Sequence, residues 1–109
     1  MLLFIVEILK NKYKAKIFKA LADPTRLEIL EYLRDGEKCV CEIVSHLRIP
    51  QPMVSRHLSI LKSCGIIKCR KQKNRRFYLI SDPTVLHILD VITPDFIARL
   101  SRVVIEEIV

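Results

Sequence analysis

The chain has 109 residues, half of them apolar, with 19 Lys and Arg against 12 Asp and Glu for a net charge of +7. That is enough apolar material for one domain whose core needs neither disulfide nor metal to close, and the basic balance favours a polyanionic partner such as DNA or RNA. The opening MLLFIVEILK has no basic residue ahead of its apolar run, which Glu7 interrupts, so it reads as neither a secretory signal nor a membrane span.

Without an export signal the chain is expected in the cytoplasm, with Cys39, Cys41, Cys64 and Cys69 as thiols and no disulfide framework. An apolar helix is expected at residues 2–10, reaching about 12 at its outer bound. A second helical stretch runs from Tyr13 to Leu33, with Ile17, Leu21, Leu27, Ile29, Leu30 and Leu33 as its apolar stripe. Asp23 is a good N-cap and Pro24 a good first helical residue, so the stretch should break there. The helix that follows, from about Pro24 to Arg34, should stop at Gly36.

A short helix around Cys41 to Leu47, the turn RIPQP, and a helix from about Gln51 to Ser63 make a helix-turn-helix over roughly 41–63. Two β-prone runs, IIKCRK at 66–71 and RFYLIS at 76–81, flank the polar turn QKNR and form a basic hairpin, the wing of a winged helix. From Pro83 to Val109 the chain returns to helix, with Thr93 and Pro94 marking an internal break. The fold class expected is mostly α with a β-hairpin wing, one winged helix-turn-helix domain over residues 1–109, with about 2–12 and 84–109 as dimerisation helices. Those end helices offer more apolar surface than a small winged helix can cover alone, which points to a homodimer.

Seven basic residues (Lys62, Lys68, Arg70, Lys71, Lys73, Arg75 and Arg76) fall in a window with no acidic residue, beside the helix-turn-helix. Such a cluster neutralises phosphates and releases counterions, which suits duplex DNA. In PQPMVSRHLSIL, Val54, Leu58 and Leu61 take the buried face, leaving Gln51, Ser55, Arg56 and Ser59 with side chains that can read base edges or hold phosphate. The expected DNA-contacting set is Gln51, Ser55, Arg56, His57, Ser59, Lys62, Lys73, Arg75 and Arg76. For His57 a structural role weighs as much as a phosphate contact.

Three pieces, ALADPTRLEIL, CVCEI and VSRHLSILKSCGII, spread over Phe18 to Ile80, resemble the arsenic-repressor (ArsR/SmtB) family of winged-helix, metal-responsive repressors. The resemblance implies a homodimer joined by its first and last helices, bound to a palindromic double-stranded operator and released by a metal or metalloid ion. It also implies that Cys39 and Cys41 are the ligands, with arsenite or antimonite favoured among soft ions. Members of that kind often carry a third cysteine three residues later, where this chain has Val44. Cys64 and Cys69 are the further candidates. The family's other site, built from Asp, His and Glu on the final helix, is not expected, because only His87 stands there with Asp82 and Asp90 nearby.

In a regular helix residues i and i+2 face apart, so two thiolates at 39 and 41 should meet on one ion only if the helix start is extended or unwound. Two other readings stay open: a thiol-redox sensor of the same shape, and a ligand-independent DNA-binding or interaction module. No Ser-His-Asp order, paired carboxylates or phosphate-cradling glycine loop is present, so neither an enzyme nor a small-molecule substrate is expected.

Overall fold

In the computed structural model, which describes residues 1–108, the middle of the chain folds around one core. The elements run α1 (Leu2–Leu21), α2 (Pro24–Tyr32), β1 (Lys38–Cys39), α3 (Val40–Leu47), α4 (Gln51–Ser63), β2 (Ile67–Gln72), β3 (Arg75–Ile80), α5 (Thr84–Asp90) and α6 (Pro94–Ile108). The fold is a winged helix-turn-helix, mostly α with a small antiparallel sheet in the order β1-β3-β2.

The boundaries follow local chemistry. Asp23 Oδ1 accepts from the amides of Thr25 at 2.8 Å and Arg26 at 3.1 Å, which caps α2, and Pro24 fills a first-turn position whose amide needs no partner. These two amides hold the Asp23 carboxyl below its ordinary pKa. At the far end of α4 the amides of Gly65 and Ile66 return to the carbonyls of Lys62 and Leu61. Gly65 adopts φ +80, which a glycine takes without the clash a Cβ would cause. Thr93 Oγ1 accepts from the Phe96 amide at 3.1 Å, so α6 restarts after the break at the expected place.

Four expectations need correction. Residues 2–10 and 13–21 form one unbroken helix, because Lys10, Asn11 and Lys12 contain neither Pro nor Gly, and Lys10 pairs with Glu7 at 2.9 Å across the same turn. The second helix ends at Tyr32, and Gly36 lies in the turn beyond it. Leu27, assigned to the buried stripe, is exposed. The sheet has a third strand, β1, whose two residues pair with Tyr78 and Phe77 far along the chain. The last residue of the expected C-terminal helix, Val109, lies outside the described residues.

The core gathers Ile29 and Leu30 of α2, Leu33 at its C-cap, Ile43 of α3, Val54, Leu58 and Leu61 of α4, and Ile66, Ile67 and Val85, most of them fully out of water. At about 1.5–3 kcal/mol for each fully buried aliphatic side chain, this cluster fixes how α4 sits on the rest. The end helices contribute little to it. From Leu2 to Leu9 every apolar side chain of α1 is exposed, and α6 buries no residue at all.

Candidate nucleic-acid interface and cysteine pair

With Val54, Leu58 and Leu61 fixed in the core, Gln51, Ser55, Ser59 and Lys62 form a stripe along the outer side of α4. This stripe is one wall of an open groove of about 600 Å³. The wing supplies the opposite wall with Asn74, Arg75 and Arg76, and Cys39, Val40 and Cys41 border the same groove at the start of α3. Six of the nine DNA-contact candidates thus share one concavity, and the cysteine pair shares it with them. Arg56 and Lys73 are exposed outside its lining, Lys73 at the hairpin tip with φ +56.

The charges in the groove are unbalanced. Among the described residues no carboxylate pairs with Lys62, Arg75 or Arg76. The hairpin register sets Lys71 directly across from Arg76, a like-charge pair that a phosphate would relieve. One member of the basic cluster is spent elsewhere: Arg70 pairs with Glu37 at 2.6 Å and lies 4.7 Å from the Phe77 ring centre.

His57 is half-buried and makes contacts within the chain. Arg26 Nη1 lies 3.2 Å from its Nδ1, and Asp23 Oδ1 lies 4.0 Å from the same nitrogen. A guanidinium only donates, so Nδ1 is the acceptor in this contact. Arg26 also donates to the carbonyls of Ala20 at 2.5 Å and Lys19 at 3.4 Å. One side chain thereby fastens the end of α1 to the middle of α4. Sequence reading missed Arg26, since nothing local marks a residue that bridges two helices.

The cysteines differ from the expectation of four free thiols. Cys39 and Cys41 are joined as a disulfide, their Cα atoms 5.4 Å apart. No unwinding is needed, because Cys39 is not a helical residue: it is the N-cap of α3, with φ −77 and ψ 159. Its Sγ accepts from the Glu42 amide at 3.3 Å while Glu42 Oε1 accepts from the Cys39 amide at 3.0 Å, a capping box with sulfur in place of a hydroxyl. An extended residue followed by the first helical turn turns both sulfurs toward each other. Cys39 is buried and Cys41 exposed, so the pair is reached from the Cys41 side.

Cys64 sits in the core at the end of α4, its thiol directed to the carbonyls of Ile60 and Leu61 at 3.5 Å. Cys69 lies across from Tyr78 in the sheet, one register position from the row that holds Cys39, Phe77 and Arg70. Adjacent rows project to opposite faces, and Cys69 packs on the main core while Cys39 does not belong to it. Burial first, and then the Cys69 thiol beside it, pushes the Tyr78 hydroxyl pKa up. The described residues contain no group of three His, Cys, Asp or Glu side chains able to hold a metal. The convergent sulfurs of Cys39 and Cys41 therefore suit a soft ion content with two thiolates, and an ion requiring three needs a donor from outside the pair.

The sequence model described as the bacterial regulatory protein arsR family matches residues 23–68, from the α2 cap into the wing. A transcriptional regulator of the helix-turn-helix type from Methanocaldococcus jannaschii is 48% identical over 84 residues, 76% of this chain and 94% of that protein. The chain belongs to the ArsR family. As an ArsR-family protein it is a DNA-binding transcriptional regulator and not an enzyme. It is also similar to a mercury resistance operon repressor of Streptomyces lividans, 43% identical over 69% of this chain and 60% of that one. Among solved structures, a homodimeric winged helix-turn-helix DNA-binding domain from Mycobacterium bovis superposes with a TM-score of 0.76 at 27% identity, covering 89% of this chain and 90% of that one. No helix of this ArsR-family chain, among the described residues, is long and apolar enough to cross a membrane.

Proposed function

We propose that this regulator is a homodimeric repressor that holds double-stranded operator DNA between α4 and the wing and, with the Cys39–Cys41 bond reduced by a cellular thiol to two thiols, is released when a thiophilic ion takes both as thiolates. The observation that carries the reading is the groove: a stripe of polar side chains on α4 faces unpaired wing cations, with the two sulfurs of the cysteine pair on its border. Gln51, Ser55 and Ser59 read bases, with Arg56 at the stripe's edge. Lys62, Lys73, Arg75 and Arg76 hold phosphates. Dimerisation through α1 and α6 sets two reading helices one DNA turn apart and covers their exposed apolar faces.

Arsenite and antimonite are the proposed effectors where an added thiol completes the coordination, and the mercury-named relative adds mercuric ion, which two thiolates satisfy. Ion binding to Cys39 Sγ withdraws the lone pair that caps Glu42, which loosens the start of α3 under the reading helix; release requires only about 1–3 kcal/mol of coupling between the two events. The test is operator binding by the wild type and by Cys39→Ser and Cys41→Ser variants, titrated with arsenite, antimonite, mercuric chloride and zinc. Both variants are expected to keep operator affinity within about threefold, the effect of a surface change of roughly ±0.5 kcal/mol, and to lose release by the soft ions. Normal release of both variants by every ion would end the effector reading.

The convergence of the two sulfurs favours a second reading, in which a peroxide or disulfide oxidant closes the pair and a thiol reopens it. Peroxide added to the ion series separates the two, since Cys→Ser variants then lose peroxide response while the wild type shows none to the ions.

A further inference from the structure

We infer that duplex DNA and the cysteine pair's ligands compete for the same groove, so that bound DNA shields Cys41 and a soft ion captures only repressor that has already left DNA. The inference deepens the function proposed above and rests on it.

Three observations carry it. Cys39, Val40 and Cys41 border the concavity whose walls are Gln51, Ser55, Ser59 and Lys62 on one side and Arg75 and Arg76 on the other. None of its lining residues is acidic, and its three cations have no carboxylate partner among the described residues. A polyphosphate strand is therefore the occupant whose charge fits it, and a strand lying between helix and wing passes over whatever forms the border. An ion that bridges the pair must reach Cys39, which is only 3% exposed and borders this groove, whereas the second hollow that Cys41 lines, with Tyr32, Glu42, Ser45 and His46, does not include Cys39.

Release then differs in kind from one in which the ion binds the complex and pries it open. With a shared groove, the ion acts by mass action on free protein, and the lifetime of the complex is set by DNA dissociation alone. The loosened cap at Glu42 lowers affinity for rebinding and does not hasten departure.

Two experiments decide it. Reduced wild-type protein is treated with iodoacetamide, with and without a duplex selected from a random pool and of about 30 base pairs, enough for two half-sites one turn apart. Modification at each cysteine is followed by peptide mass. With DNA at about ten times its Kd, alkylation of Cys41 is expected to slow about tenfold, and to recover when salt dissociates the complex. An unaltered Cys41 rate on DNA-saturated protein would overturn the inference. In the second, labelled complex is chased with unlabelled duplex in increasing mercuric chloride or arsenite. A dissociation rate independent of ion concentration is expected, and acceleration by the ion would show that it reaches the bound form and overturn the shared groove. If neither ion releases DNA at equilibrium, the effector reading fails, and the alkylation arm, which uses no ion, still decides the inference.

Discussion

The middle of the molecule and its two ends solve opposite problems. Between Ala20 and Leu89 the apolar side chains of five helices and the sheet close on one another, and eight of them are essentially absent from the surface. In the first half of α1 and throughout α6 the apolar side chains stand in water: Leu3 is 84% exposed, Val104 58% and Ile108 79%. A helix of this composition gains stability from an apolar face that packs, and among the described residues neither stretch finds such a face. The middle is thus a folded head, and the ends present the apolar faces that the proposed dimer would cover.

Breaking the ends should give the largest effect on function with the smallest effect on the head. Replacing Leu100 and Val104 together by Glu, or removing residues 1–10, is expected to give monomers by sedimentation. Operator affinity should fall by about 10²–10⁴, because two linked half-site contacts become one. Far-ultraviolet circular dichroism should retain α2 to α4. A dimer that survives both changes would refute the assignment of the ends.

The joint between the two regions is Arg26, which ties the Ala20 and Lys19 carbonyls of α1 to His57 of α4. Arg26→Ala is expected to lower stability in urea by about 1–3 kcal/mol, the cost of leaving partly buried acceptors without a donor. Arg26→Lys should recover only part of this, since an ammonium does not span three acceptors in a fixed plane. No loss in either variant would mean that α1 is held by its apolar contacts alone.

A smaller effect separates the roles of Cys39. As the cap of α3 it should tolerate Ser, which keeps an acceptor for the Glu42 amide, whereas Cys39→Ala should cost about 1 kcal/mol by thermal unfolding of the reduced protein. Equal stability of the two variants would show that the sulfur carries no capping role.

What was legible in the sequence was what neighbours in the chain decide. The Asp23 cap, the Thr93 cap, the end of α4 at Gly65 and the alternation of the wing each depend on residues within a few positions, and each stands close to where its signal placed it. The apolar spacing of Val54, Leu58 and Leu61 likewise gave the outward stripe of α4. What was not legible depends on distant partners. The strand β1 exists because β3 offers an edge to Lys38 and Cys39, and two residues carry no periodicity of their own. Arg70 looks like a free cation until Glu37, in the loop before β1, is brought against it. The cysteines were read at the start of a helix around Cys41 to Leu47, converging only if that start were extended or unwound. Shifting its cap to Cys39 changes the direction of one sulfur and turns a diverging pair into a meeting one.

The placement of DNA between α4 and the wing is tested most directly by the slope of log K against log salt, for the wild type and for the double variant Arg75→Ala with Arg76→Ala. Each phosphate contact contributes about 0.9 to that slope, so losing two per subunit in a two-fold complex should make it shallower by nearly four and weaken binding to operator and random duplex alike. An unchanged slope with both arginines removed would contradict the account, and the strand would have to be sought on another face of the molecule.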